Sequence, residues 1–107
     1  MIYLDNNATT KVHPEVFQAM EPYLRDEFGN PSTGYDLGKR SNEAINKARD
    51  QVSSFLNANE EEIVFTSCGT ESDNAAIYSA LNANTEKRHI VTTSVEHSAI
   101  ILSLIHI

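Results

Sequence analysis

Thr66-Ser67-Cys68-Gly69-Thr70-Glu71 concentrates residue types that can hold an anion. It falls between a run of strand formers, Glu62-Ile63-Val64-Phe65-Thr66, and a helix predicted to start at Thr70. At such a junction, unpaired backbone N–H groups and the positive end of the helix dipole attract phosphate. Gly69 lets the backbone come close to a ligand, and the Thr70 hydroxyl both donates and accepts. The Gly-Lys-Ser/Thr ending of a P-loop is missing, as is any Gly-x-Gly-x-x-Gly turn. The same residues also suit an ordinary strand-to-helix turn with a threonine cap, which is the commoner use, and Glu71 and Asp73 bring negative charge beside it. His97 follows a second run of strand formers, His89–Thr93, at the matching edge of the next unit. Its imidazole is either a solvent-facing, helix-starting group or one that projects over a ligand held at Gly69–Thr70. Cys68 stands where a helix N-terminus lowers a thiol pKa, although a lone small cysteine after a strand is more often a packing residue. No spacing of His, Cys, Asp and Glu matches a metal site, and His13 and His89 read as local or surface residues.

The elements that must position these groups follow from apolar spacing. Ile2–Leu4 suits a short strand, followed by the polar turn Asp5–Thr10. A first helix is predicted from Pro14, because proline suits the first helical turn, with Val16, Phe17, Met20 and Leu24 on one face. Pro22 lies inside that pattern and is expected to kink or shorten it. Phe28–Gly34 is a loop by composition. Leu37, Ala44, Ile45, Ala48, Val52, Phe55 and Leu56 then predict a long amphipathic helix over about residues 36–57. A βαβ pattern follows: a strand at 62–66, a helix with Thr70 as N-cap and Asp73 in a capping box, and a parallel strand at 89–93. Parallel strands are buried on both faces, and this chain carries too few helices to cover them.

Composition narrows the classes. The 107 residues carry 8 Lys+Arg against 15 Asp+Glu, a net charge of −7, with no basic cluster to attract nucleic acid or an anionic membrane. The N-terminus lacks a basic segment followed by an apolar one, and no run approaches the roughly 18 apolar residues of a membrane span. One cysteine excludes an internal disulfide. These features read as a cytoplasmic protein. Residues 98–107 carry no charge apart from His106, which is unusual for a chain end and points to a truncated or misread terminus.

Taken in order, Tyr3-Leu4-Asp5-Asn6-Asn7-Ala8-Thr9-Thr10, Phe28-Gly29-Asn30-Pro31-Ser32, Glu62 through Asn74 and Val95-Glu96-His97 resemble the N-terminal quarter of cysteine desulfurases of the NifS/IscS branch. The resemblance covers roughly residues 1–100 and places the chain among class V aminotransferase-like, fold-type I pyridoxal-phosphate enzymes. It implies an incomplete α/β fold. Residues 1–34 form the N-terminal arm and first helix, 35–100 begin the large cofactor-binding domain with its mainly parallel sheet, and 101–107 are an atypical apolar tail. It further implies that Gly69 and Thr70 grip the phosphate of pyridoxal 5′-phosphate, and that His97 stacks on the cofactor ring and assists proton transfer. The family's Schiff-base lysine, persulfide cysteine and pyridine-pairing aspartate have no counterpart here. Lys11, Lys39, Lys47 and Lys87 stand in loop or helix-surface contexts, and Cys68 belongs to the phosphate turn. The full-length parent is then expected to take L-cysteine, release L-alanine, form a homodimer and pass sulfur to a scaffold protein for iron–sulfur clusters or thio-cofactors, whereas this chain alone is inactive. Two other readings stay open: a small standalone module for a phosphorylated ligand, and a remnant that is non-functional or acts only by dimerising.

Overall fold

The computed structural model describes residues 2–107, which fall into two compact units that divide between Ile63 and Val64. The first unit holds helix α1 (Pro14–Arg25), helix α2 (Asp36–Leu56) and a 3-10 turn over Glu60–Glu62. As expected, α1 starts at Pro14, where the absent N–H costs nothing. It passes through Pro22 and ends three residues later, where the Pro22 carbonyl accepts both Asp26 N–H and Glu27 N–H at 2.9 Å.

The Phe28–Gly34 loop lies against the start of α2. Asn30 organises it: the side-chain oxygen accepts Ser32 N–H at 2.9 Å, and the carbonyl accepts Thr33 N–H at 3.1 Å and the Thr33 hydroxyl at 2.7 Å. A methyl group on Gly29 would fall 2.8 Å from the Gly38 nitrogen, and one on Gly38 would fall 2.5 Å from the Asn30 carbonyl oxygen. Both positions therefore need glycine for the two backbones to touch. Glu27 and Arg40 pair at 3.0 Å across the same contact. At its far end α2 closes on Asn57, which is left-handed with φ 53° and ψ 44°. Asn57 N–H reaches the Ser54 carbonyl at 3.3 Å and Ala58 N–H the Ser53 carbonyl at 2.9 Å, the pair of bonds that satisfies a helix end's free carbonyls.

The strands expected at 62–66 and 89–93, and at Ile2–Leu4, do not form a ladder among the described residues. Glu62 instead closes the 3-10 turn, its carboxylate accepting the Asn59 N–H at 2.7 Å. Ile63 is extended, with φ −92° and ψ 120°, and its carbonyl is taken by the Arg49 guanidinium. The reason is physical: β-branched residues make a segment extended, but a strand exists only when a neighbour completes its hydrogen bonds. The regular secondary structure of the described residues is helical throughout.

The second unit pairs helix α3 (Gly69–Ala83) with helix α4 (Ser98–His106). Ala99 and Ser103, one turn apart on α4, are buried, and the Ser103 hydroxyl donates to the Ala99 carbonyl at 2.6 Å, so burial leaves it satisfied. Most of the apolar tail is thus the body of α4. No helix among the described residues is long and apolar enough to cross a membrane.

Candidate functional site

The start of α3 is built two residues earlier than the sequence predicts. Cys68, not Thr70, is the N-cap, with extended backbone at φ −165° and ψ 169°, and Gly69 and Thr70 are the first two helical residues. The Asp73 capping box is replaced by Glu71. One of its carboxylate oxygens accepts both the Ser67 N–H and the Ser67 hydroxyl at 2.7 Å. A carboxylate that reaches back to a free N–H and also complements the helix dipole outcompetes a threonine cap. These two bonds hold the Glu71 carboxyl below its ordinary pKa.

The neighbouring hydroxyls are committed as well. Thr66 and Ser72 share a hydrogen bond at 2.6 Å between their oxygens, and both approach the Cys68 carbonyl, at 3.2 and 3.4 Å. Of the four hydroxyls around this turn, Thr66, Ser67 and Ser72 are engaged internally. The Thr70 hydroxyl alone has no hydrogen-bond partner among the described residues. Gly69 is open in a second sense. Its φ is not positive, and a methyl group added there would meet nothing within 4 Å. No contact within this chain asks for glycine at 69, and the space where its side chain would stand is open.

Cys68 is exposed, and its thiol is shifted below the ordinary cysteine pKa, chiefly by the Glu71 backbone N–H and then by the Ser67 hydroxyl. The negative charge of Glu71 opposes that shift weakly. The cause is general: N–H groups left free at a helix N-terminus favour negative charge beside them.

His97 is the N-cap of α4, and its Nδ1 accepts the Ala99 N–H at 3.1 Å. Nδ1 is therefore unprotonated, and in the neutral ring Nε2 carries the hydrogen. No hydrogen bond joins His97 to Gly69 or Thr70 among the described residues. The two helices do share a groove of about 340 Å³, walled by Thr70, Asn74 and Tyr78 of α3 and by Ala99, Ser103 and His106 of α4. Thr70 thus faces the element that His97 starts. Among the described residues, no group of three or more His, Cys, Asp or Glu side chains is placed to hold a metal ion.

Sequence reasoning singled out Gly69, Thr70 and His97 as candidates but did not anticipate the hydrogen bonds that Glu71, Thr66 and Ser72 make around the turn. The signal was the one-turn spacing of Ser67 and Glu71, which the stronger Thr70–Asp73 pattern masked.

Residues 2–107 match the family model described as aminotransferase class-V. Among curated relatives, a cysteine desulfurase of Trichormus azollae is 60% identical over 101 residues, covering 94% of this chain and 25% of that protein. The cysteine desulfurase NifS of Azotobacter vinelandii is 50% identical over 101 residues, with the same coverage. One from Sinorhizobium fredii is 51% identical over 107 residues, 99% of this chain and 28% of its own length. A solved structure of a NifS-like protein superimposes with a TM-score of 0.86 at 37% identity, covering 98% of this chain and 29% of that one. The chain spans about a quarter of the length of the curated relatives it matches.

Proposed function

Because this chain belongs to the aminotransferase class-V family and is homologous to the N-terminal part of NifS/IscS-branch cysteine desulfurases, we propose that it supplies the cofactor-phosphate turn of such an enzyme. The whole protein would remove sulfur from L-cysteine, leaving L-alanine and an enzyme persulfide for iron–sulfur cluster or thio-cofactor assembly. The observation that carries this reading is the Gly69–Thr70 step, where an uncommitted hydroxyl stands beside a backbone face that no neighbour occupies.

Pyridoxal 5′-phosphate, when bound, supplies the electron sink for chemistry at the substrate's α-carbon. The residues present fit its phosphate. Gly69 and Thr70 would offer backbone N–H groups, and the Thr70 side chain an O–H donor, to the phosphate oxygens. The helix dipole of α3 adds favourable potential at the same point. His97 would face the cofactor ring. With Nδ1 accepting the Ala99 N–H, the Nε2–H of the neutral ring is the donor that His97 would offer toward the ligand. The Schiff-base lysine and the sulfur-accepting cysteine are assigned to the remainder of the enzyme, so this chain by itself is inert. A homodimer, a scaffold protein as sulfur acceptor and a cytoplasmic location complete the reading.

Joining residues 1–100 to the remaining three quarters of the Trichormus azollae relative tests it. The hybrid is expected to bind pyridoxal 5′-phosphate and to release alanine and sulfide from L-cysteine, with Thr70→Ala weakening cofactor retention by about tenfold. The 107-residue chain alone, given cofactor and cysteine, is expected to release neither product. A hybrid that folds and dimerises but binds no cofactor would overturn the assignment.

A further inference from the structure

We propose that Glu71 is a positioning residue of the phosphate turn, holding Ser67 so that Gly69 and the uncommitted Thr70 hydroxyl are presented to the ligand. This rests on the reading of Gly69–Thr70 as the phosphate site. Ser67 N–H and the Ser67 hydroxyl converge at 2.7 Å on one Glu71 oxygen across four residues. That chelation spans Cys68, Gly69 and Thr70, the segment whose backbone must keep its shape for a tetrahedral anion to seat. It also removes the Ser67 hydroxyl from competition. Left free, a second donor one residue before the cap would draw the anion away from Thr70. The parallel Thr66–Ser72 bond at 2.6 Å closes the other side, so both flanks of the turn are pinned from α3 itself. A carboxylate beside a phosphate site would ordinarily repel the ligand. Here one of its oxygens is taken up by the two bonds to Ser67, and its role is to organise rather than to touch the ligand.

The test uses the intact chain and pyridoxine 5′-phosphate, which lacks the aldehyde and so cannot condense with Lys11, Lys39, Lys47 or Lys87. Amide NMR shifts of Gly69 and Thr70 are followed, with pyridoxine as the phosphate-free control. The expected result is a phosphate-dependent shift that Glu71→Ala weakens about tenfold in dissociation constant. Glu71→Gln keeps an acceptor oxygen and should restore binding to within about threefold. Ser67→Ala, which loses one donor and leaves the backbone N–H, should fall between and serves if Glu71→Ala disturbs α3. A wild-type shift left unchanged in Glu71→Ala and Ser67→Ala overturns the positioning role alone. Failure of Glu71→Gln to rescue also overturns it, because charge rather than hydrogen-bond acceptance would then be the operative property. No phosphate-dependent shift in the wild type overturns the phosphate reading itself, and the positioning role falls with it.

Discussion

Cys68 shows at the residue scale what the start of α3 does to a charge. Its thiol is exposed, faces backbone N–H groups and has a lowered pKa, so thiolate persists at lower pH than for an ordinary cysteine. Alkylation by iodoacetamide should accordingly reach half its maximal rate at a lower pH than with free cysteine. Ser67→Ala, by removing the hydroxyl that also favours the thiolate, should move that midpoint upward. A midpoint at or above that of free cysteine, measured by mass spectrometry across a pH series, would contradict this. The candidate residues were legible because small and hydroxyl side chains after a strand-like run are a local pattern. Which hydroxyl is free was not legible. That depends on Glu71 and Ser72 turning back by one helical turn, and only coordinates show which of several acceptors wins.

At the scale of elements, α2 is set by a stop as much as by its apolar stripe. Asn57 holds a left-handed conformation that costs most residues about 1–2 kcal/mol. Asn57→Val should destabilise the end of α2 by about that amount, whereas Asn57→Gly should be neutral or slightly stabilising, as read from helical circular dichroism against urea. Equal midpoints for the two variants would remove Asn57 from the list of determinants. The helices were readable because the spacing that buries an apolar stripe is local, and α2 ends within a residue of its expected boundary. The strands were readable as extended backbone but not as a sheet, since pairing is non-local and Glu62 found a nearer partner in Asn59. The cap of α3 shifted from Thr70 to Cys68 because a glutamate competed for the turn, a contest that two overlapping capping patterns could not resolve in sequence.

For the whole molecule, the described residues bury only small side chains: Gly38, Ser41, Ser53, Ala99 and Ser103. The face of α1 expected to be apolar is present but uncovered, with Phe17 52% and Leu24 71% exposed. Exposed apolar stripes of this kind bind hydrophobic dyes. The purified chain should enhance the fluorescence of 8-anilinonaphthalene-1-sulfonate, and Phe17→Asp with Leu24→Asp should reduce that signal by about half while leaving helix content unchanged. A signal indifferent to the double substitution would show that α1 is covered in solution. The glycines extend the point in another direction. At Gly29 and Gly38 a methyl group collides with backbone, so folding itself polices those positions. At Gly69 a methyl group meets empty space, so folding is blind to it. Any demand for glycine at 69 would come from outside these residues, from a bound group such as the proposed phosphate or from further polypeptide packed there, and not from how this chain folds.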